Sequence, residues 1–150
     1  MATIYTDTAT AQNANTARNL ADGNKVTGKI AFARASFTTD GDTAADDILR
    51  IVKLPKGAIV IPGASFIDTE DCGTDISVTI GDEITPDVDK YSTAISLATA
   101  GRIAFVSGVA GANPDALTEE SWITATIVDA GSISVTADKD LTIWIGFILP

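Results

Sequence analysis

The sequence predicts an all-β fold: a single-domain β-sandwich or jelly roll of about eight strands, preceded by an extended N-terminal arm. Three observations carry this. From Lys29 onward the apolar residues recur with a period close to two and are rich in Ile, Val, Thr and Phe. Gly, Pro, Asp and Asn interrupt that pattern at short intervals, as turns between short strands do. The strands do not alternate with helical stretches, so a parallel α/β sheet is excluded in favour of two packed sheets. With 150 residues, 45% of them apolar, the chain is long enough for one well-buried core.

Taken in order, residues 1–26 are dominated by Ala, Thr, Asn and Asp, with Ile4, Tyr5, Leu20 and Val26 as the larger apolar groups. Burial of so few apolar side chains does not offset the entropy of ordering the segment alone. It reads either as plain disorder or as an arm that becomes ordered against a partner, and residues 27–150 form the sandwich. Strands are expected over Lys29–Phe37, Ile48–Leu54, Ala58–Phe66 and Asp75–Gly81. In the last of these Ile76, Val78 and Ile80 share one face, and Ser77 and Thr79 the other. Asp87–Ala100 is the one candidate helix, in which Pro86 starts it, Tyr91, Ala94, Ile95 and Ala98 form its stripe and Gly101 ends it, while Ser92 and Thr93 favour a loop equally. Strands follow over Gly101–Ser107, Ser121–Val128, Ser132–Ala137 and Leu141–Leu149. Asp129-Ala130-Gly131-Ser132 and Ala137-Asp138-Lys139-Asp140 are turn-rich, which predicts an antiparallel meander of the last three strands. The final strand carries Leu141, Ile143, Ile145, Phe147 and Leu149 on one face and Trp144 and Ile148 on the other, so it is expected to be central or to lie against another subunit. The expected core comprises Ile76, Val78, Ile80, Ile133, Val135, Ile143, Ile145 and Phe147.

Composition narrows function. A formal charge of -10 repels nucleic acid and anionic membranes, so neither is expected as a partner. Histidine is absent, which removes Ser-His-Asp and Cys-His catalysis and imidazole-held metals. The single cysteine, Cys72, closes no intrachain disulfide, and its acidic neighbours argue against a nucleophile. Met1–Leu20 lacks the basic start and apolar run of an export signal, and no stretch approaches the length of a membrane helix. Charge is also uneven: the chain up to Lys56 carries +1 and the remainder -11, a layout that suits an N-terminal third facing something acidic or polar.

Candidate chemistry is sparse. The carboxylates of Asp82, Glu83, Asp87 and Asp89 make the best cation loop, but they lack EF-hand spacing and read more simply as a solvated turn around Pro86. Asp40, Asp42, Asp46 and Asp47 would make an acid pair only if folded into one cleft, and otherwise are turn residues. Residues 108–114 are glycine-rich without the Lys-Ser/Thr of a phosphate loop. Trp122 is the better candidate for an exposed aromatic, and Trp144, inside an apolar strand, for a core one. No enzyme activity and no cofactor are expected.

Three stretches together resemble a known family: Leu54-Pro55-Lys56-Gly57-Ala58 entering a strand, Ser77-Val78-Thr79-Ile80-Gly81-Asp82 followed by Asp87, Asp89 and Tyr91, and the closing Leu141-Thr142-Ile143-Trp144. They resemble small virion structural proteins of tailed bacteriophages, the decoration or cement proteins found beside the major capsid protein. The resemblance covers about residues 27–150. It implies a β-sandwich or jelly-roll body, a homo-oligomer (dimer or trimer), and non-catalytic docking on the outer surface of the capsid with the major capsid protein as partner. Combined with the charge layout, it makes Ile4, Tyr5, Arg18, Leu20, Lys25, Lys29 and Arg34 the expected partner interface. The alternative is a receptor- or glycan-binding module of a phage fibre or tail, in which Trp122 and Tyr91 would do the binding.

Overall fold

The structure, a computed structural model, describes residues 30–40, 43–84, 87–105 and 115–149, with the side chains of 129–134 excepted. Among the described residues it is all-β, with nine strands in two antiparallel sheets and one 3-10 turn at Pro62–Ala64. The strands are β1 (Ala31–Thr38), β2 (Ile48–Leu54), β3 (Ile59–Val60), β4 (Phe66–Thr69), β5 (Gly73–Asp82), β6 (Asp87–Ser96), β7 (Gly101–Ala104), β8 (Ser121–Val135) and β9 (Asp140–Ile148). One sheet has the order β1-β9-β4-β7, with β3 also on β9, and the other the order β2-β8-β5-β6. The chain crosses between the sheets repeatedly, so each sheet's apolar face has a cover and a sandwich results.

The core is the inward phase of the central strands. Ile67, Leu141, Ile143 and Ile145 from the first sheet meet Ile76, Val78, Ile80, Ile123 and Ile127 from the second, all at most 2% exposed. Burying each such side chain contributes about 1.5–3 kcal/mol. Period-two patterning therefore locates β5 and β9 correctly, and β9 is central, flanked by β1 on one side and by β3 and β4 on the other. Of the expected core, Phe147 is buried, Val135 half-buried, and the Ile133 side chain lies outside the described residues. Leu149 departs from its expected face: it lies past the end of β9 and is 48% exposed.

Three elements differ from expectation for identifiable reasons. Asp87–Ser96 is strand β6, not a helix. Its register against β5 shifts twice, with Val78 opposite Ile95, Ile80 opposite Ser92 and Asp82 opposite Asp87. Extra residues at the bulges put Tyr91 and Ile95, four apart, into one core, which imitates a helical stripe. Ser121–Val128 and Ser132–Ala137 are not two strands but parts of β8. Here β5 advances two residues from Thr74 to Ile76 while its partner runs back from Ser134 to Asp129, so the turn-like residues form a bulge within one long strand. The meander consequently fails, since β8 and β9 lie in different sheets and the 137–140 connection crosses the sandwich edge. There Asp138 adopts φ 58° and donates its N–H to the Thr39 carbonyl. Finally, Ala58–Phe66 is interrupted at Pro62, where the 3-10 turn separates β3 from β4.

Candidate partner-binding surface

Alternation along the first sheet sends Phe32, Arg34, Ser36 and Thr38 of β1 outward, beside Thr142 and Trp144 of β9, Phe66 and Asp68 of β4, and Arg102 of β7. Register aligns them into rows across the strands. Arg34 stands opposite Trp144, which stands opposite Phe66, and Ser36 stands opposite Thr142, then Asp68, then Arg102.

The first row is a continuous stack. The Arg34 guanidinium lies 5.6 Å from the Trp144 ring centroid, Trp144 and Phe66 stack at 5.7 Å with 26° between planes, and Arg102 covers Phe66 at 4.2 Å. Arg102 is in turn clamped by both Asp68 oxygens, at 2.7 and 2.9 Å. That bidentate contact holds the Asp68 carboxyl below its ordinary range, with the Arg34 charge and the Trp144 indole N–H adding to the effect. The buried Trp144 Nε1 has no hydrogen-bond partner among the described residues. Arg34 makes no ion pair among the described residues and remains exposed. Phe32, 51% exposed, packs its ring edge over Gly146, where an added Cβ would lie 3.3 Å from it. Trp and Arg around an apolar centre are the side chains that carry most interface energy.

Of the expected interface residues, Arg34 is the one the structure places, in the middle of this face. Ile4, Tyr5, Arg18, Leu20, Lys25 and Lys29 lie outside the described residues. Trp144 and Phe66 were missed as surface groups because an apolar strand reads as core from both sides. Their signal is the cross-strand row, which needs register.

The other candidate chemistries resolve into structure. Asp82 turns into the protein, its side chain fully buried, and accepts from Lys90 Nζ (2.6 Å), Tyr91 OH (2.8 Å) and the Ile84 N–H (3.2 Å). Burial and the Asp82 carboxylate push the Tyr91 phenol well above its ordinary value. Tyr91 is 4% exposed, so the expectation of Tyr91 as a binding aromatic is corrected: its ring is core and its hydroxyl is committed. Trp122 is half-buried, with Arg50 5.7 Å from its centroid and Arg50 itself held by Glu83 at 2.8 Å. Asp40 and Asp47 sit in turns, bonded to Thr43 Oγ1 and the Ala44 N–H, and Gly41 and Asp42 lie outside the described residues, as does the 108–114 loop. Among the described residues no three acidic or thiol side chains converge as a metal site. Cys72 is buried, and that burial raises its thiol pKa.

No protein-family model and no curated protein matches the chain. Its fold is similar to chains in three solved structures. A chain in the capsid of Ralstonia phage GP4 matches with a TM-score of 0.62 and 18% identity, covering 82% of this chain and 86% of that one. A chain in the cyanophage Pam1 capsid asymmetric unit matches with 0.57 and 19%, covering 81% and 84%. A chain in the acidic stable capsid of Helicobacter pylori bacteriophage KHP30 matches with 0.54 and 16%, covering 81% and 88%. At these identities the likeness is one of fold.

Proposed function

We propose that this chain is a phage virion structural protein, a capsid decoration or cement protein that binds the major capsid protein on the outer surface of the shell and stabilises it without catalysis. The observation that carries this reading is that a sandwich of this topology recurs, over more than four fifths of both chains, in capsids of three phages. The surface chemistry agrees. Stacked Arg34, Trp144, Phe66 and Arg102 form a docking face of the composition that interfaces favour. Residues 1–26, with Ile4, Tyr5, Arg18, Leu20 and Lys25, and Lys29 behind them, supply an arm that lies extended over the shell. Several copies in a homo-oligomer would engage together and turn weak contacts into lasting occupancy.

The receptor- or glycan-binding alternative is less well supported. Sugar platforms need an open ring face. Tyr91 is buried, Trp122 lies under Arg50, and both Trp144 and Phe66 have ring faces occupied by neighbours.

A quantitative gel of purified particles tests the assignment. A copy number comparable with that of the shell subunit is expected, and a handful of copies confined to the tail would overturn it. Deleting residues 2–26 should leave the melting temperature of the free protein unchanged while abolishing its co-sedimentation with shells.

A further inference from the structure

The four edges of the two sheets are not equally protected against pairing with another strand. Strand β7 has four residues, and β3, in line with β4 along β9, has two. Strand β2 breaks register between Arg50 and Val52 and carries Lys53 paired with Glu120. Strand β6 breaks register twice and carries Asp87, Asp89 and Lys90. Short length, bulges and charge are the devices that keep edges from pairing. Strand β1 is the least protected. It runs eight residues in unbroken register with β9 on one side, contains no proline, and has Arg34 as its one charge.

Among the described residues its outward hydrogen-bonding groups have no strand partner, and they fall in a definite phase. The Thr39 N–H donates to the Lys139 carbonyl at 2.9 Å and the Thr39 carbonyl accepts from the Asp138 N–H at 2.8 Å. In an antiparallel ladder the direction alternates, so the odd-numbered residues of β1 face β9, and Phe32, Arg34, Ser36 and Thr38 turn their N–H and C=O to the open edge.

We propose that β1 is the interface of a homodimer, pairing antiparallel with β1 of a second copy about a two-fold axis at Ser36, so that the two β1-β9-β4-β7 sheets become one continuous sheet. Self-complementarity selects the second copy as the occupant and this register as its alignment. Centring on Ser36 puts Ala35 opposite the partner's Phe37 and Arg34 opposite the partner's Thr38. The first pairing sets a large side chain against a small one, over an open groove of about 240 Å³ lined by Ala35, Phe37, Leu49, Ile51 and Ile143. The second brings the unpaired Arg34 beside Asp140, which Thr38 Oγ1 already contacts at 2.7 Å. Arg34 and Asp140 of different copies then stand two strand spacings apart, ~10 Å, a gap their two side chains close. Shifting the register by two residues toward the N-terminus would instead place Arg34 opposite the partner's Arg34, where like charges repel. The pairing is independent of which surface meets a shell.

Sedimentation equilibrium on the full chain at concentrations up to about 100 µM, suited to an interface at the small end of the size range, should show a dimer. Ser36→Lys sets two ammonium groups against each other at the axis and should return a monomer with an unchanged circular dichroism spectrum. Ser36→Cys should oxidise to a covalent dimer, since hydrogen-bonded antiparallel pairs lie about 5.5 Å apart at Cα, within disulfide range. A monomeric wild-type chain, an oligomer that Ser36→Lys leaves intact, or faster cross-linking through Arg34→Cys than through Ser36→Cys would each overturn the proposal.

Discussion

Replacing Lys90 with Met probes whether the buried carboxylate of Asp82 depends on its cation. The Asp82 side chain is 0% exposed, and the Lys90 ammonium 2.6 Å away is its ionic partner, with the Tyr91 hydroxyl and the Ile84 N–H as neutral donors. Met keeps most of the apolar stem of Lys90 and deletes the charge. Removing one member of a fully buried pair costs about 3–5 kcal/mol, because the other is left uncompensated. Since the Lys90 side chain is 30% exposed, water replaces part of the lost interaction, and the expected cost falls to about 2–3 kcal/mol. Against a total stability of about 5–15 kcal/mol that is a large share, equivalent to a drop in Tm of about 4–12 °C for a domain of this size. Urea denaturation should show the midpoint falling with the slope unchanged. Adding Asp82→Asn, which removes the charge while still accepting hydrogen bonds, should recover most of the loss in the Lys90→Met background. A Lys90→Met protein as stable as the wild type, or an Asp82→Asn change that deepens the loss, would refute a stabilising ion pair at this site.

Gly81→Ala should destabilise by more than 3 kcal/mol, near or beyond the usual upper range for overpacking. Its Cβ would overlap the Asp87 carbonyl oxygen and lie 2.8 Å from the Val88 carbonyl carbon, whereas Gly63→Ala meets nothing within 4 Å and should be neutral in the same urea titration. Asp89→Asn should raise Tm by about 1 °C at pH 7 and lose the advantage near pH 4. The Asp87 carboxyl beside Asp89 raises its pKa, so the wild type carries a contribution that is present below the unfolded value of about 3.9 and is lost as pH rises through the folded one. Asp68 runs the other way. Arg102 holds it low, so its small contribution persists above the unfolded value and is lost only as pH falls through the depressed one. Melting curves of Asp68→Asn and Asp89→Asn between pH 3 and 7 should therefore diverge in opposite directions.

The strands that were legible from sequence are those in which one residue follows another without a bulge. In β5 the Ile76-Val78-Ile80 alternation and in β9 the Leu141-Ile143-Ile145-Phe147 alternation map directly onto buried positions. Where an extra residue enters, period two is lost and the local pattern misleads. Tyr91 and Ile95 look helical because two bulges lie between β6 and its partner, and Asp129–Ser132 looks like a turn because a bulge uses the same backbone-tolerant residues. Bulges are set by the partner strand, so one strand's own sequence cannot announce them. Crossing between sheets is similarly silent, since the four-residue link from β8 to β9 has the composition of a hairpin turn and leads to the opposite sheet.

The charge layout shows how far a linear count reaches toward an interface. Up to Lys56 the sequence carries an excess of one positive charge, yet its described cations do not act alike. Arg50 is taken up by Glu83 and Lys53 by Glu120, both acids supplied by the strongly negative remainder of the chain. These exposed pairs contribute little to stability, on the order of 0–1 kcal/mol each, but they remove two cations from any docking surface. Arg34 and Lys56 stay unpaired among the described residues, and of these Arg34 is backed by an aromatic stack. Contact with the Trp144 ring, 5.6 Å away, restricts the guanidinium, so a carboxylate brought by a partner meets a partly preorganised group and less rotamer entropy is lost on binding. Arg34 serves both inferred contacts: its backbone pairs with a second β1, and its side chain, which reaches Asp140 across that seam, keeps further N–H donors for an acidic group on a shell. A Lys at this position would preserve the charge and the strand pairing but lose the planar stack, so Arg34→Lys should leave the dimer intact while weakening attachment to the shell. Loss of both together would show that the two contacts are one.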